Sequence, residues 1–429
     1  MITWMLIAMI VLLLLGFPMM IPLIVAAFIG FMGLFDGDFS RLTFMIQQMV
    51  AGIKPTSLIA VPMFILAADI MTRGQSAGRL IDMVMTFIGH IRGGLAVSTA
   101  VTCTLFGAVS GSTQATVVAV GSPLRPRMLQ AGYKDSFVLA LIVNASDIAF
   151  LIPPSIGMII YGVVAKTSIA DLFLAGVGPG LVILVLFSIY CVIYAKIKDV
   201  PTQEKYSWAQ RGEAVVRALW PLGFPVIIVG GIYTGFFSPT EAASFCVLYA
   251  IFLEFIVFRS LTWRDLGDIA RATGLITSVV FILVAAGNAF SWVISFADIP
   301  ATLISAVGLE SAGPTGVLIA ISIAFFIGCM FVDPIVVILV LVPIFMPLIE
   351  ATDLNKVLVG TIITLQVAIG SATPPFGCDI FTAIAVFKRP YWEVVKGTPP
   401  FILILLSVAA LLIMFPEIAL FLPELALDK

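Results

Sequence analysis

The sequence predicts an all-α polytopic membrane protein with an inverted-topology repeat, in which each half contains one re-entrant helical hairpin and one discontinuous helix. Three observations lead to this fold class. The composition is far more apolar than that of soluble proteins, two Pro-Pro pairs interrupt apolar segments, and loops at equivalent places in the two halves carry opposite charge.

Composition places the chain in a lipid bilayer. Of its 429 residues 61% are hydrophobic and 11% are charged, and the mean hydropathy is +1.18, whereas soluble domains carry about 25% charged residues. Apolar runs of spanning length recur from end to end and leave no soluble domain. A net charge of −2 argues against nucleic acid as a partner. The cysteines lie inside apolar runs, at spacings that fit neither a metal site nor a disulfide framework.

The chain before the first Pro-Pro pair divides into short segments. No Lys or Arg precedes Arg41, so the first apolar run lacks the basic start of a signal peptide and should remain as a helix. The pattern then predicts two short helices separated at 16–18, a polar elbow at 36–41, an amphipathic stretch at 42–52, a spanning helix at 55–72 and an interfacial helix at 78–91.

Two Pro-Pro pairs, Pro153-Pro154 and Pro374-Pro375, interrupt apolar segments long enough to cross a membrane. Proline lacks an N–H and clashes with the carbonyl four residues back, so each pair ends a helix and frees backbone carbonyls. Unpaired carbonyls are costly in hydrocarbon and persist where they line a cavity or meet a ligand such as a cation. The two breaks, with Pro154 and Pro375 in supporting roles, therefore suggest a transport site.

The breaks belong to a repeat of the whole chain. Pro153 and Pro374 are 221 residues apart, and the same shift carries Gly107 onto Gly328. The order of hydropathy matches although identity is low, which is typical of transporter repeats. The predicted domains are a first repeat at 1–197, a cytoplasmic connector at 198–217 and a second repeat at 218–429. Each repeat contains scaffold or arm helices (1–94 and 218–313), a hairpin and broken helix (95–166 and 314–387), and a closing helix (172–197 and 398–416).

Charge placement indicates that the two repeats are inverted. The segment 122–135 carries three basic residues, whereas its equivalent at 347–356 carries Glu350 and Asp353 against Lys356. Basic loops stay in the cytoplasm. An inverted threading collects 17 of the 22 Lys and Arg residues on one side, in the segments 73–94, 122–135, 196–217, 259–271 and 388–397. The N-terminus is therefore predicted to be periplasmic.

Two apolar segments are predicted to be re-entrant hairpins. The segment 95–121 has a Ser/Gly-rich centre at 107–114, and the charge argument puts both of its ends on the cytoplasmic side. Its equivalent at 314–346 turns at 328–334 and enters from the opposite side. Irregular backbone at membrane depth is tolerated when it is buried against protein or a wet cavity. The alternative interpretation is a small-residue motif for helix packing.

Each half therefore brings a hairpin tip to a broken helix, and the tip and break supply hard oxygen ligands suited to Na⁺. The predicted sodium ligands of the first half are the carbonyls of Gly107, Ala149 and Ile152 and the hydroxyl of Ser110. The predicted mirror set is Gly328, Gly370 and Thr373.

Helix starts that follow the breaks, at Ser155 and Phe376, aim positive dipole ends inward, where an anionic carboxylate would be stabilised. The hairpin tips add Ser112 and Asp333. The predicted substrate-binding residues are therefore Ser112, Ser155 and Asp333.

Carboxylates inside membrane spans are functional candidates by default. Asp147 and Asp379, each close to a break, are assigned possible supporting roles, Asp147 either in function or only in the structure of the break. Asp69 and Glu254 lie near helix ends, so we expect them to snorkel to the interface and not to act in transport.

The motifs together resemble the large membrane subunit of tripartite ATP-independent periplasmic (TRAP) transporters. The resemblance covers nearly the whole chain and is carried by the runs 106–112, 121–122, 131–133, 152–156, 172–176 and 373–375. It implies an elevator-type secondary transporter of the bacterial inner membrane. It further implies a Na⁺ gradient as driving force, an organic acid delivered by a periplasmic binding protein, and a small four-helix membrane subunit as partner. No helices precede Met1, so we expect the small subunit to be a separate chain.

Within this family, the segments 144–148 and 122–127 and Gln114 look most like those of sialic-acid members. Asp333 would repel a dianion, whereas a polyhydroxylated monoanion offers hydroxyls that can donate to it. Sialic acid is therefore the expected substrate, with a C4-dicarboxylate as the alternative.

Other classes of protein fit less well. An enzyme is disfavoured because there is one histidine, no clustered metal ligands and no phosphate-binding glycine-lysine loop. An ion channel is disfavoured because the chain contains its own inverted pair. A sodium-dicarboxylate elevator transporter that needs no binding protein stays open as an alternative.

Overall fold

The computed structural model describes residues 1–309 and 312–427, and this part of the chain consists of α-helices, short 3₁₀ turns and two π-helical segments, without β-strands. The few remaining positions, within the predicted second repeat, lie outside the described residues.

The first half contains ten helices in its described residues, all of them before the connector. They are α1 (Ile2–Leu14), α2 (Met20–Leu34), α3 (Leu42–Gly52), α4 (Ala60–Arg73), α5 (Ser76–Ile88), α6 (Gly94–Ser110), α7 (Thr113–Gln130), α8 (Asp135–Ser146), α9 (Ile156–Ala165) and α10 (Ile169–Ile197).

The second half continues the series from the connector onward. Its helices are α11 (Trp208–Ala218), α12 (Gly223–Pro225), α13 (Gly231–Tyr233), α14 (Pro239–Ile251), α15 (Trp263–Phe296), α16 (Ile299–Val307), α17 (Pro314–Cys329), α18 (Pro334–Ala351), α19 (Lys356–Ser371), α20 (Cys378–Phe387), α21 (Tyr391–Val395), α22 (Pro399–Met414) and α23 (Glu417–Leu427).

The membrane class predicted from composition is confirmed by helix length and hydropathy. In the described ranges five helices are long and apolar enough to cross a bilayer, and seven spans result if each of two bent helix pairs counts as one. The hairpin arm α6 and the broken-helix pieces α9, α19 and α20 are apolar but shorter, which suits segments that turn or stop at membrane depth.

Both predicted hairpins and both predicted broken helices are present. α6 and α7 form the first hairpin, and α17 and α18 form the second. A 3₁₀ turn, Asp147–Phe150, and the first Pro-Pro pair separate α8 from α9, while the second Pro-Pro pair separates α19 from α20. Both Pro-Pro peptide bonds are cis.

In each half, one hairpin arm packs against a helix of the other half. In each half the first arm packs on its own pre-break helix, α6 on α8 and α17 on α19. The second arm packs on the post-break helix of the other half, α7 on α20 and α18 on α9. This reciprocal packing is what a pseudo-two-fold repeat produces, and it makes one compact unit of the hairpins and broken helices.

The long helix α15 and the helix α4 packed on it form a wall beside this unit. Helix α15 packs on α2, α3 and α4 and also on the second hairpin arm α18. Its start is fixed by a capping box in which Thr262 and Asp265 satisfy each other's backbone N–H groups. Asp69 of α4 accepts a hydrogen bond from Thr273 of α15 (2.9 Å), so this carboxylate joins two wall helices.

Glu254 is fully buried, so the interpretation that it snorkels to the interface is wrong. Its carboxylate accepts hydrogen bonds from the backbone N–H groups of Gln75 and Ser76 (both 2.9 Å) and from the hydroxyls of Ser76 and Ser260. A carboxylate from the second half thus caps the start of α5 in the first half.

Two segments differ from the sequence prediction. The second arm of the first hairpin continues as helix α7 to Gln130 and includes Pro123 and Pro126, so most of the predicted loop at 122–135 is helical. The closing segment of the second half is two helices, α22 and α23, which meet at a bend of 58°. α23 packs closely on α10, where a Cβ at Gly178 would lie 1.9 Å from the carbonyl oxygen of Ile418.

Candidate transport site

Each hairpin tip is tied to the break of its own half by one backbone hydrogen bond. The N–H of Ile156 donates to the carbonyl of Gly111 (3.4 Å), and the N–H of Phe376 donates to the carbonyl of Met330 (3.2 Å). Gly111 has a left-handed backbone (φ +59°), and a Cβ there would lie 2.3 Å from the carbonyl oxygen of Pro154. The contact therefore requires glycine at this position.

Glycine also permits the hairpin arms to approach the broken helices, at equivalent places in the repeat. A Cβ at Gly107 would lie 2.6 Å from the Cα of Ala149, and a Cβ at Gly370 would lie 2.6 Å from the Cβ of Cys329. In the first half the glycine is on the hairpin, and in the second half it is on the broken helix. Gly107 and Gly370, predicted as sodium ligands, therefore have a packing role in this structure.

A cavity of about 280 Å³ lies between the two hairpin tips and α15. Its polar lining comes from both tips, with Ser112, Thr113 and Gln114 on one and Asp333 on the other. The apolar lining comes from the wall and the first break. It consists of Ile65, Phe150, Ile156, Ile276, Val279, Val280 and Leu283, with Pro334 and Ile335 beside the second tip. The cavity thus borders both the hairpin unit and the wall.

Two of the three predicted substrate residues line this cavity. Ser112 is the N-cap of α7 and accepts from the N–H of Ala115 (3.4 Å). Asp333 is the N-cap of α18, and its Oδ1 accepts from the N–H of Ile335 (2.9 Å). Both hairpin second arms therefore begin at the cavity, and their first residues line it.

Ser155, the third predicted substrate residue, is not among the residues that line the cavity. Its side chain is fully buried, and its hydroxyl accepts from the N–H of Met158 (3.3 Å) as the N-cap of α9. The hydroxyl is used to start the helix, and the cavity is reached from this helix by the next residue, Ile156.

The first predicted set of sodium ligands is only partly free. The carbonyl of Gly107 accepts from the N–H of Gly111 (2.9 Å), so the prediction of a loose carbonyl there is wrong. Among the described residues no N–H or hydroxyl donates to the carbonyls of Ala149 and Ile152. The hydroxyl of Ser110 is buried in the tip, 3.2 Å from the hydroxyl of Thr116.

The mirror set is occupied by turn hydrogen bonds. The carbonyl of Gly328 accepts from Val332 (3.1 Å), and that of Gly370 accepts from Thr373 (3.1 Å). The carbonyl of Thr373 accepts from Gly377 (3.2 Å), and its hydroxyl donates to Ile369 (2.6 Å). None of these carbonyls is loose, because Gly328 lies in the turn that ends α17, and Gly370 and Thr373 lie in the tight turn after α19.

The loose carbonyls of the second break are instead those of Ser371 and Ala372, which receive no hydrogen bond within residues 312–427 or from residues 1–309. Their helical donors would be Pro375 and Phe376. Proline has no N–H, and Phe376 donates to the hairpin tip. The carbonyl of Pro375 itself accepts from the hydroxyl of Tyr391 (3.0 Å).

Asp379 is fully buried and joins the two halves. Its Oδ1 accepts from the hydroxyl of Thr113 (2.8 Å) at the first hairpin tip, and its Oδ2 accepts from the hydroxyl of Ser371 (2.6 Å) at the second break. Residues 113 and 379 are 266 positions apart, so sequence pattern gave no signal for the contact with Thr113. Asp147 is equally buried, in the 3₁₀ turn that begins the first break.

Hairpins that face broken helices across one polar cavity, inside a predominantly apolar helical chain, define a membrane transporter and not an enzyme. The chain belongs to the tripartite ATP-independent periplasmic transporter family as its DctM component, whose family model matches residues 6–418. Large permeases of this family work with a periplasmic binding protein and a small membrane subunit. The family resemblance stated above is thereby confirmed.

Relatives with known names support the assignment. The chain is 74% identical to an ectoine/5-hydroxyectoine TRAP transporter large permease of Ruegeria pomeroyi (98% of each chain) and 73% identical to an ectoine TRAP transporter large permease of Halomonas elongata (99% of each). It is 33% identical to a sialic acid TRAP transporter large permease of Vibrio cholerae (90% of each). The crystal structure of the YdaH transporter of Alcanivorax borkumensis shares the fold, with a TM-score of 0.53, 12% identity and 89% coverage of both chains.

Proposed function

We propose that this chain is the large permease of a TRAP system that imports ectoine or a closely similar zwitterion, driven by a Na⁺ gradient. A small subunit in the inner membrane and a binding protein in the periplasm complete the system. The observation that carries the proposal is the cavity between the hairpin tips, which has a positive end at α7 and a negative group at Asp333.

The two ends of the cavity match the two charges of ectoine, a small ring compound with one carboxylate and one amidinium cation. The start of α7, with the hydroxyl of Ser112 and the amide of Gln114, favours a carboxylate. At the other tip the Asp333 carboxylate accepts from the N–H of Ile335, and a carboxylate has about four acceptor positions, so it can also accept from an amidinium.

This arrangement of charges favours ectoine over a C4-dicarboxylate. A C4-dicarboxylate would place one carboxylate against Asp333, and like charges at contact distance are unfavourable. The carboxylate of sialic acid would suit the start of α7. However, the relatives that are 73% and 74% identical to this chain are named for ectoine. The segments at 122–127 and 144–148 therefore do not mark a sialic-acid transporter, and ectoine replaces sialic acid as the proposed substrate.

Coupling to Na⁺ is supported by the free oxygens at the breaks. Ala149 and Ile152 in the first half, and Ser371 and Ala372 in the second, offer buried carbonyls without donors among the described residues. Hard oxygen ligands of this kind suit small cations. A cation at each break would hold the hairpin tip against the broken helix when substrate binds.

We further propose the inverted topology with a periplasmic N-terminus and a cytoplasmic connector at 198–217. The reciprocal packing of the hairpin arms supports a pseudo-two-fold repeat, and the placement of the basic residues supports both its inversion and its orientation. Cysteines introduced at positions 2 and 205 should react with a membrane-impermeant reagent from opposite sides. Labelling of both from the same side would contradict the topology.

The proposed function is tested by uptake into proteoliposomes that contain this chain and its small subunit, with the binding protein outside and no ATP. Labelled ectoine, sialic acid and succinate are offered in parallel under an inward Na⁺ gradient. Ectoine should accumulate, and accumulation should stop without Na⁺ or without binding protein. Preferential uptake of another compound would refute the substrate, and uptake with K⁺ in place of Na⁺ would refute the coupling.

A further inference from the structure

Asp147 is a buried carboxylate without a hydrogen-bond donor. Its relative exposure is 0%, and within the described residues neither Oδ1 nor Oδ2 has a partner. Asp379, which is also fully buried, receives two hydroxyl donors. A buried charge that is neither paired nor hydrogen-bonded is strongly unfavourable, so the surroundings of Asp147 are incomplete as they stand.

The side-chain oxygen of Asn144, three residues before Asp147, also lacks a donor within the described residues. Asn144, one turn earlier on α8, is fully buried, and its Nδ2 donates to the carbonyl of Ala140 (2.8 Å). Its Oδ1 has no partner in the described residues. The turn at 147–150 also packs on α6 and α19.

A cation satisfies this arrangement better than water does. Water would donate to some of the acceptor oxygens, but it would leave the negative charge of Asp147 uncompensated in the membrane interior. Carboxylate and amide oxygens are suitable ligands for a hard cation.

The second repeat has no counterpart of this pair of polar side chains. The residues that the 221-residue shift places opposite Asp147 and Asn144 are Ala368 and Leu365, which carry no polar side chain. The break carbonyls occur in both halves, whereas the Asp147 cluster occurs in one. The cluster is therefore an addition to the symmetric plan and not a requirement of the fold.

We propose that Asp147 and Asn144 form an additional binding site for one monovalent cation, Na⁺ in the coupling proposed above, beside the first break. The carboxylate supplies the charge and Asn144 Oδ1 supplies a neutral ligand. Because Asp147 begins the turn 147–150, which contains Ala149 and leads to Ile152, occupation of the site stabilises the conformation of the break itself. This inference rests on the proposed coupling to Na⁺.

The test is a Na⁺ titration of thermal stability, made on the purified complex with its small subunit and without substrate. Ionic strength is held constant with choline chloride, and a KCl titration measures ion specificity. The dependence of stability on the logarithm of Na⁺ concentration reports how many ions bind to the folded state alone. Asp147→Asn should lower this number by one relative to the unchanged protein. Asp268→Asn, which removes an exposed carboxylate from α15, should leave it unchanged.

Asn144→Ala is a second variant, which keeps the carboxylate of Asp147. It tests the site even if Asp147→Asn does not fold. It should weaken Na⁺ binding at the site by about tenfold, seen as a displaced midpoint in the Na⁺ titration. If the unchanged protein shows no Na⁺-specific stabilisation, the proposed coupling itself fails and this inference fails with it. If the unchanged protein responds but the Asp147 and Asn144 variants respond equally, the coupling stands and the additional site is refuted.

Discussion

Replacement of Asp333 by Asn tests the proposed charge pairing at the second hairpin tip. Asn is as good an N-cap as Asp, so Oδ1 can still accept from the N–H of Ile335 and α18 should start normally. The substitution therefore removes the negative charge and leaves the helix in place. What is lost is the charge-assisted hydrogen bond to the amidinium of the substrate.

The size of the effect follows from the kind of interaction. A hydrogen bond to a charged group contributes about 1.5–3 kcal/mol, and each 1.4 kcal/mol corresponds to about a tenfold change in affinity. We expect Asp333→Asn to weaken ectoine binding by about tenfold to a hundredfold. Thermal unfolding should change little, because the cap is kept.

The assay is the concentration dependence of ectoine uptake in proteoliposomes, with equal amounts of inserted permease. Asp333→Ala is the matched variant, since it removes the charge and the cap together and should also lower the unfolding temperature. An unchanged KM for Asp333→Asn would show that Asp333 does not contact the substrate cation, and the dipolar interpretation of the cavity would be wrong.

Three further predictions concern positions around the site. Gly111→Ala should destabilise the permease by about 1–2 kcal/mol because the left-handed backbone penalises a Cβ, and thermal unfolding at the wild-type temperature would contradict the tight tip-to-break contact. Glu254→Ala should cost about 1–3 kcal/mol for each buried donor left unsatisfied, chiefly at Ser76; a variant as stable as the parent would show that Glu254 does not cap α5. Ser155→Ala should lower the free energy of unfolding by about 1 kcal/mol, because an N-cap is lost, and should leave the KM for ectoine unchanged. Ser112→Ala should raise the KM for ectoine. The same change in KM from both variants would refute the placement of Ser112 in the cavity lining and of Ser155 outside it.

The sequence was sufficient for those features that local chemistry encodes. The pairs Pro153-Pro154 and Pro374-Pro375 each remove two consecutive N–H donors inside an apolar segment, which predicts the two breaks, and composition indicates that the broken segments lie in a membrane. The shift of 221 residues then related one hairpin and break to the other. Ser112 and Asp333 are polar residues within apolar segments, and this pattern predicts that they lie at the hairpin tips. The structure places both in the lining of one cavity.

The tertiary structure decided which polar groups are free. Gly107 and Thr373 look like open ligands in the sequence, yet turn geometry satisfies their carbonyls, while Ala149 and Ile152 stay free. Glu254 looks like a residue near the interface, yet it caps a helix from the other half. Hydrogen-bond partners depend on helices that are far apart in the chain and meet only on folding, as Thr113 and Asp379 do across 266 positions. Local pattern determines where a backbone breaks, but the packing of distant helices determines what each exposed oxygen contacts.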